Sequence, residues 1–308
     1  MKSLPEILVI VGPTASGKTA LALTIARKLP SEIISADSRQ VYKQLNIGTA
    51  KPTPEELRFV PHHFIDLIEP DKKFNAGDFQ VQGRAVIAEI VARGNMPIIV
   101  GGTGLYIQAL VDGFFELPEI SGKVRERLER RLLKDGKDVL YEELASVDPA
   151  SAALMDASKY RRVIRALEVF YETGTPISQF HQLHAVQKIY DSRFVGLLWE
   201  RSILYDRINK RVEAMFAAGF LGEVKELKKA NYDDRFQSLQ TVGYKEAFAY
   251  LRHEITRERM IELMKQNTRR FAKRQMTWFR KEQRIQWFNI SGNQEIDTIA
   301  DQIISSRI

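Results

Sequence analysis

The sequence predicts an α/β fold with a parallel sheet, helices on both of its faces, and an inserted all-helical subdomain. Three observations lead to this prediction. Short β-rich runs alternate with helical patterns through the first third of the chain. A glycine-rich loop at residues 12–19 joins the first such run to the first helical pattern. Residues 117–192 carry only helical patterns and separate two runs expected in the same sheet.

The loop at residues 12–19 fits the pattern of a phosphate loop. It reads Gly-Pro-Thr-Ala-Ser-Gly-Lys-Thr, after the apolar run 7–11 and before the helical run 19–29. In that context the glycines let backbone N–H groups converge on phosphate oxygens, and the helix N-terminus adds its positive dipole end. The core is therefore predicted to resemble the phosphate-loop NTPases. The residues predicted to bind a diphosphate or nucleotide are Gly12, Pro13, Thr14, Ala15, Ser16, Gly17, Lys18 and Thr19, with Thr19 also placed to bind Mg²⁺.

Polar residues follow two of the other predicted strands. Asp37 follows the run 32–36, and we expect that strand to lie beside the first, so that Asp37 faces the same crevice. There it could bind Mg²⁺ through water or accept a proton, or it could simply cap a turn. Thr103 follows the run 97–100 within a Gly-Gly-Thr-Gly break, where ligands gather in open sheets; an ordinary turn threonine is the alternative. The remaining strands are predicted at 63–67, 194–199 and 285–289.

The rest of the chain is predicted to be helical. Within the insert, residues 124–134 and 152–173 have helix-forming composition; helical padding on the sheet is the alternative to a separate subdomain. Residues 203–282 are again helical, and the stretch 252–284 holds eleven Lys and Arg against four Glu, a net charge of +7. Trp278 and Phe279 lie within this stretch. They suit an RNA-contacting surface, although helical spacing also fits core packing.

Composition narrows the classes of function. Of 308 residues, 44% are hydrophobic and 28% charged, which is ordinary for a soluble globular protein. The first residues lead straight into a strand pattern, and no window approaches the ~20 apolar residues of a membrane span. We therefore expect a cytoplasmic protein without a membrane partner. The chain has no cysteine, which excludes disulfides, thiolate zinc sites and a cysteine nucleophile within it. A net charge of +7 favours an anionic partner.

Taken in order, the motifs resemble those of the tRNA dimethylallyltransferase family. After the phosphate loop come Ser-Ala-Asp-Ser-Arg-Gln-Val-Tyr at 35–42, Asn-Ile-Gly-Thr-Ala-Lys-Pro at 46–52 and Gly-Gly-Thr-Gly-Leu-Tyr at 101–106. Further matches are Arg-Ala-Leu-Glu-Val-Phe at 165–170, Val-Gly-Tyr-Lys at 242–245 and Arg-Phe-Ala-Lys-Arg-Gln-Met-Thr-Trp-Phe at 270–279. The resemblance covers nearly the whole chain, and the ordered set is far more specific than the phosphate loop alone.

The resemblance implies an activity. Members of the family share the fold of phosphate-loop kinases but move the dimethylallyl group of dimethylallyl diphosphate onto N6 of the adenosine 3′ to the tRNA anticodon. The residue chemistry agrees, because an exocyclic amine is a weak nucleophile and depends on leaving-group stabilisation and alignment. The allyl group also needs a dry slot, since water would capture an allylic cation. We expect a monomer that uses Mg²⁺ and binds dimethylallyl diphosphate and the anticodon stem-loop.

The resemblance also implies roles for individual residues. Lys18, Asp37 and Thr103 would be the catalytic residues, with Asp37 as the general base or orienter of the adenine amino group. Either Arg207 or Arg211 could reach the diphosphate. A solvated helix face remains the alternative for each arginine of the insert, and an ordinary surface arginine for Arg39. The implied tRNA-binding residues are Asp37, Ser38, Arg39, Gln40, Thr103, Arg125, Arg161, Arg162, Arg165, Gln240, Thr241, Val242, Gly243, Tyr244 and Lys245.

Three other functions fit parts of the pattern. A nucleoside or nucleotide kinase using ATP would share the phosphate loop, but it would not need the basic C-terminal helix together with the segments 37–42 and 101–106. An RNA-binding nucleotide switch would be expected to carry a guanine-specifying Asn-Lys-x-Asp segment, which we do not find. An enzyme that prenylates free adenine nucleotides would not need arginines that grip RNA.

Overall fold

The computed structural model describes residues 4–114, 121–183, 188–292 and 294–306. The chain divides into two compact units. The first, here called the sheet unit, comprises Met1–Asp112 and Lys188–Ile308, and the second, the helical unit, comprises Gly113–Gln187. The start predicted for the insert, at residue 117, lies outside the described residues. Its predicted end at 192 lies inside a strand of the sheet unit that begins at Asp191.

The sheet unit is built on six parallel strands, as the sequence predicts. The strands are β1 Glu6–Val11, β2 Ser31–Ser35, β3 His62–His63, β4 Met96–Gly101, β5 Asp191–Trp199 and β6 Ile285–Ile290. They run in the order β3-β2-β4-β1-β5-β6 across the sheet. Side chains of both orientations along β1 are buried, so that helices cover both faces.

Two strand predictions were wrong in detail. β2 does not lie beside β1, because β4 is inserted between them. Every residue of β4 is buried, as a central position demands. The strand predicted at 63–67 is reduced to β3, because Phe64 and Asp66 adopt left-handed backbone angles, with φ of 65° and 54°, that end the extended run.

Several helices of the sheet unit begin at side-chain caps. Asn75 and Asp78 form a reciprocal capping box at the start of the helix Ala76–Ala92, and the Thr256 hydroxyl accepts the Arg259 N–H at the start of the helix Arg257–Phe279. Among the described residues, no helix is both long and apolar enough to cross a membrane. The helices are α1 Lys18–Ala26, α2 Pro54–Phe59, α3 Ala76–Ala92, α4 Gly104–Val111, α10 Arg201–Ala217, α11 Phe220–Lys229, α12 Tyr244–Leu251, α13 Arg257–Phe279 and α14 Glu295–Ser305.

Two large apolar clusters among the described residues help to organise the sheet unit. In the first, α1 and α14 pack on one face of the sheet through residues such as Leu21 and Ile299. In the second, α10 to α13 enclose Val41, Tyr42 and Leu45, which follow β2. The second cluster therefore anchors the segment after Asp37 to helices that come some 170 to 220 residues later in the chain.

The helical unit has its own core, formed by leucine, isoleucine and valine side chains such as Leu128, Leu144 and Leu167. The helix predicted over 152–173 is divided, because the Asp148 and Asp156 side chains cap new turns at Ser151 and Ser158. The helices of the helical unit are α5 Gly122–Asp135, α6 Lys137–Val147, α7 Pro149–Ala152, α8 Tyr160–Thr173 and α9 Ile177–Leu183, with a 3-10 turn at Ala157–Lys159.

A buried carboxylate joins three elements of the sheet unit. Glu32, 3% exposed in β2, accepts two hydrogen bonds of 2.8 Å from Arg93, one of 2.9 Å from Asn95, and pairs with His63 at 2.8 Å. The bonds from Arg93 lower the pKa of Glu32 to about 2, against the opposing effect of burial. Stabilisation from this group is present above its unfolded pKa of 4.5 and is lost as the pH falls toward 2.

We therefore predict that Glu32→Gln lowers the free energy of unfolding at pH 7 by about 2 to 3 kcal/mol. It should also flatten the loss of stability between pH 5 and pH 2.5. Urea unfolding over this pH range measures both effects. Glu55→Gln, which removes an exposed carboxylate paired with Arg58, is the matched control and should change little. Parallel pH profiles for wild type and Glu32→Gln would contradict the assignment.

Candidate functional site

The phosphate loop leads from the end of β1 into α1. Gly12, with φ of 145°, and Gly17, with φ of 96°, take backbone angles that other residues rarely adopt. A side chain at Gly12 would also crowd the Ser16 hydroxyl. Gly17 is the N-cap of α1, so that the helix starts at Lys18 with its dipole directed at the loop.

Side chains of β5 and α10 brace the loop. The Trp199 indole N–H donates to the Ser16 carbonyl at 2.8 Å, and Arg207 Nε donates to the Ala15 carbonyl at 2.9 Å. The Arg207 guanidinium also lies 4.1 Å from the centre of the Trp199 ring. Because the N–H of Gly17 belongs to the same planar peptide as the bound Ser16 carbonyl, it points to the opposite side, where a ligand can accept it.

A cationic cleft of about 380 Å³ lies along the loop. It is lined by residues 15–20 and by Arg207, Lys210 and Arg211 of α10. Lys18 Nζ lies here and donates to the Pro13 carbonyl at 2.8 Å. Burial, together with the charge of Arg211, lowers the pKa of Lys18 to about 7, and Asp37 partly opposes this. Burial likewise lowers the pKa of Arg211. A site that disfavours its own cations when empty is suited to binding an anion.

Asp37 and Thr103 lie at the tips of the adjacent strands β2 and β4. Asp37 Oδ1 accepts the Arg39 N–H at 2.8 Å, and Thr103 Oγ1 accepts the Ser38 N–H at 3.1 Å. The Thr103 N–H in turn donates to the Ala36 carbonyl at 3.2 Å. A side chain at Gly101 would overlap that same carbonyl, so glycine is required for the two strand tips to meet.

Two cavities meet at Asp37 and Arg211. The smaller, of about 90 Å³, is lined by Lys18 and Thr19, and its lining also includes the apolar residues Ala22 and Ile33. The larger, of about 440 Å³, extends to the loop 240–243 and to the side of α13 that carries Asn267, Phe271 and Arg274. Thr14, Thr49 and Phe271 also line both cavities. A cationic cleft, a small and mostly polar cavity and a larger cavity of mixed lining thus lie at neighbouring positions of the site.

Most of the predicted site residues of the sheet unit converge here. Residues 14–19 of the phosphate loop line the cleft or the small cavity, Arg211 lines both, and Asp37 lines the small cavity. Gly12 and Pro13 are buried and line neither. Arg39 lies beside the larger cavity, although its guanidinium also donates to the Gln237 carbonyl. The other predicted residues that line the larger cavity are Ser38, Thr103, Gln240, Thr241, Val242, Gly243 and Lys245.

Two residues predicted to contact tRNA are engaged elsewhere. Gln40 faces the small cavity, where its carboxamide accepts the Ser35 hydroxyl and donates to the carbonyls of Thr49 and Ala50. Tyr244 is fully buried, so its ring is not presented to a ligand. Its hydroxyl donates to Glu223 at 2.6 Å. Both side chains therefore support neighbouring loops, and their contact with tRNA stays a prediction.

The supporting roles of several residues were not predicted from the sequence. Glu223 accepts the N–H groups of Asn46, Ile47 and Gly48 at 2.7 to 3.1 Å, and thereby fixes the loop next to Thr49. Gln275 of α13 contacts the phosphate loop, and the sequence offered only its helical spacing as a guide. Trp199 and Arg207 brace the loop from nearly 200 residues away. No local motif marks such long-range partners.

In the helical unit, Arg125, Arg161, Arg162 and Arg165 are all exposed. Arg125 of α5 and Arg165 of α8 both pair with Glu168, which is 1% exposed, with N–O distances of 3.5 and 3.2 Å. Arg161 lies one turn before Arg165 on α8. The buried carboxylate therefore holds two cations from different helices close together at the surface of this unit.

Comparison with known proteins gives a consistent result. A family model described as IPP transferase matches residues 40–282. The chain is 48% identical over 284 residues to tRNA dimethylallyltransferase 1 of Trichlorobacter lovleyi, covering 92% of this chain and 93% of that protein. It is 44% identical over 301 residues to the tRNA dimethylallyltransferase of Pelotomaculum thermopropionicum, covering 96% and 95%.

Solved structures agree. The full-length tRNA isopentenylpyrophosphate transferase of Bacillus halodurans matches with a TM-score of 0.71 and 40% identity, over 97% of this chain and 96% of that one. A eukaryotic dimethylallyltransferase acting on tRNA matches with a TM-score of 0.86 and 30% identity, over 97% of this chain and 77% of that one.

Proposed function

The chain belongs to the IPP transferase family, and from this premise we propose that it is a tRNA dimethylallyltransferase. It transfers the dimethylallyl group of dimethylallyl diphosphate to N6 of the adenosine 3′-adjacent to the tRNA anticodon and releases diphosphate. The observation that carries this proposal is that Asp37 and Arg211 line both the small cavity next to the phosphate loop and the larger cavity. Nothing in the comparisons favours an ATP-dependent kinase.

The leaving group is held by the phosphate loop. The N–H groups at the start of α1, together with Lys18, surround the diphosphate, and their positive charge is most effective as the C–O bond breaks. Of the two arginines left open by the sequence, Arg211 suits this role better. Arg207 braces the Ala15 carbonyl, whereas Arg211 lines the cleft and both cavities beside Lys18 and Asp37.

A magnesium ion fits the donors at this site, although protein atoms alone would not hold it. The described residues contain no group of three His, Cys, Asp or Glu side chains arranged to hold a metal. Thr19, whose hydroxyl borders the cleft, would bind the ion together with diphosphate oxygens, and Asp37 would do so through water. When bound, Mg²⁺ neutralises charge on the departing diphosphate.

The other side of the site receives the adenine. The base must leave the anticodon stack to enter the larger cavity, and there Asp37 accepts a hydrogen bond from the N6 amino group. This contact orients the nitrogen and takes up its proton as the new C–N bond forms. Thr103, fixed by its bond to the Ser38 N–H, borders the same cavity and helps to position the base.

We assign the allyl group to the small cavity. Ala22, Ile33 and Val100 form an apolar wall of this cavity, while most of its other lining residues are polar. One of these, Gln40, already bonds through its carboxamide to Ser35, Thr49 and Ala50, so it does not need water as a partner. Contact with the apolar wall would limit the access of water to the developing allylic cation.

A transfer assay tests the proposal. Dimethylallyl diphosphate labelled in the allyl group is incubated with the protein, Mg²⁺ and total tRNA, and labelled nucleosides are identified after digestion. We expect label on N6 of the adenosine next to the anticodon, with one diphosphate released per group transferred. A parallel reaction with γ-labelled ATP should transfer nothing. Label moving from ATP, or no label on tRNA from the allyl donor, would overturn the proposal.

The helical unit is proposed to bind phosphates of the anticodon stem-loop. Each phosphate contact contributes about 0.7 to 0.9 to the slope of log affinity against log salt. Replacing both Arg161 and Arg165 with alanine should therefore weaken tRNA binding and reduce the slope by between one and two. The affinity for dimethylallyl diphosphate alone should not change. Binding isotherms at several salt concentrations measure both quantities.

The matched control is the double variant Arg130→Ala with Lys134→Ala, which removes two exposed charges from α5 of the same unit. It should leave most of the salt slope intact. If the Arg161 and Arg165 variant binds tRNA with the wild-type affinity and slope, the unit does not contact phosphates through these residues.

A further inference from the structure

One hydrogen-bonding group of the phosphate loop is already occupied by the protein. The Thr14 N–H donates to Gln275 Oε1 at 2.8 Å. Gln275 lies on α13, 261 residues away in sequence, and is only 7% exposed. Its Nε2 donates to the Gly102 carbonyl at 3.0 Å. Both ends of the carboxamide are therefore fixed, one on the phosphate loop and the other on the turn that carries Thr103.

The packing around this carboxamide is tight. A side chain at Gly102 would overlap Gln275 Nε2, and one at Gly104 would overlap the Trp278 ring, one turn further along α13. The glycines of this turn thus allow α13 to approach closely. As a result Gln275 has a fixed position beside the Thr14 N–H.

The position of Thr14 in the loop indicates which phosphate its N–H group would otherwise bind. The cationic cleft follows residues 15–20, near the start of α1, whereas Thr14 lies at the opposite end of the loop and lines the two cavities beside Asp37. In a phosphate loop that binds a triphosphate, the N–H groups cradle two phosphates and the lysine reaches toward the third. A chain of three phosphates that started at α1 would place its last phosphate near Thr14.

We propose that Gln275 is a specificity-determining residue that limits the phosphate loop to two phosphates. Its carboxamide occupies the donor and the space that a third phosphate would use, while the neighbouring Asp37 carboxylate would repel that phosphate. The bound diphosphate then ends at Lys18 and Arg211, which places its ester carbon beside Asp37. This inference rests on the proposed function, because it assumes that the loop holds the leaving diphosphate.

Inorganic pyrophosphate and tripolyphosphate serve as probes. Their dissociation constants are measured by calorimetry on the full chain at a fixed concentration of free Mg²⁺. Wild type should bind pyrophosphate at least about ten-fold more tightly than tripolyphosphate, because the third phosphate would meet the Gln275 carboxamide and the Asp37 carboxylate and would find no free donor at Thr14. Gln275→Ala, which frees the Thr14 N–H, should bring the two constants within about three-fold, chiefly by improving tripolyphosphate binding.

A second variant covers the case in which alanine destabilises the helix. Gln275→Met keeps the volume but cannot accept from Thr14, and it should reduce the preference for pyrophosphate by at least about three-fold. Thr277→Ala, an exposed position on the same helix, is the control and should keep the wild-type ratio. Thermal unfolding of each variant establishes that it is folded before the anions are compared.

The outcomes separate this inference from the proposed function. If pyrophosphate binds and inhibits transfer, but both Gln275 variants keep the wild-type ratio, Gln275 does not set the phosphate number and only this inference fails. The same holds if wild type binds tripolyphosphate as tightly as pyrophosphate. If neither anion binds, the loop is not a diphosphate site, and the proposed function fails with the inference.

Discussion

Replacing Lys18 with alanine is expected to lower the rate of dimethylallyl transfer by about 10²- to 10³-fold at saturating substrates, with the fold intact. The side chain lines the cationic cleft, and among the described residues its ammonium group donates to the Pro13 carbonyl of its own loop. Its charge matters most when the C–O bond breaks and negative charge builds up on the diphosphate. Single-turnover kinetics with labelled dimethylallyl diphosphate measure the effect.

The lowered pKa of Lys18 adds a pH signature to this prediction. The pKa is about 7 in the free protein, so above pH 7 most of the molecules have a neutral Lys18. A bound diphosphate favours the charged form, and binding above pH 7 must therefore take up a proton. The dissociation constant for inorganic pyrophosphate should rise about ten-fold per pH unit above pH 7, and Lys18→Ala should lack this dependence.

Two further variants sharpen the result. Lys18→Arg stays charged at all accessible pH values, so its pyrophosphate affinity should not fall between pH 7 and pH 9. Lys210→Ala, which removes a lysine bordering the same cleft but paired with Asp206, controls for loss of charge alone. Wild-type turnover by Lys18→Ala, or the same pH dependence in wild type and Lys18→Ala, would remove Lys18 from the mechanism.

Lys18→Ala is expected not to lower the thermal stability of the protein. A buried lysine whose pKa is lowered is less stable charged in the folded protein than in the unfolded chain. Below pH 7, Lys18→Ala should therefore unfold at a temperature no lower than wild type. Loss of activity without loss of stability is expected of a residue that serves ligand binding rather than the fold.

Local motifs allowed much of this site to be predicted. The phosphate loop is a continuous segment whose glycines allow its backbone N–H groups to converge on phosphate oxygens. Its conformation could therefore be inferred from residues 12–19 alone. Asp37 and Thr103 each follow a buried strand, and parallel strands bring their C-terminal ends to one edge. The order of the strands was harder to predict, since either β2 or β4 could have paired with β1 without changing the hydrophobic pattern of any of them.

Long-range contacts account for what the sequence did not show. Tyr244 belongs to a motif of the family, yet its buried ring and its bond to Glu223 show that it supports a loop. Gln275 has the spacing of a core residue, and its role follows only from the carbonyl and N–H groups it meets in space. A buried polar side chain must find partners, but the sequence does not say which ones.

Replacing Asp37 is expected to have the second large effect on the rate of transfer. Asp37→Ala should reduce the rate of transfer by about 10²- to 10³-fold, since general-base contacts typically contribute that much, while tRNA affinity changes by less than about three-fold. Alanine also removes the acceptor of the Arg39 N–H and could disturb the loop. Asp37→Asn keeps an oxygen for that bond but cannot take up a proton, so it separates the two effects.

We expect Asp37→Asn to be nearly as slow as Asp37→Ala, and to bind tRNA as wild type does. Its affinity for pyrophosphate should not fall, because the variant removes a negative charge from the neighbourhood of Lys18 and Arg211. A slower reaction with undiminished binding of both substrates is the mark of a contact that strengthens as the nitrogen attacks. Single-turnover rates and two binding isotherms provide the comparison. If both variants lose tRNA affinity in the same proportion as rate, Asp37 binds the adenosine but does not act on the reacting nitrogen.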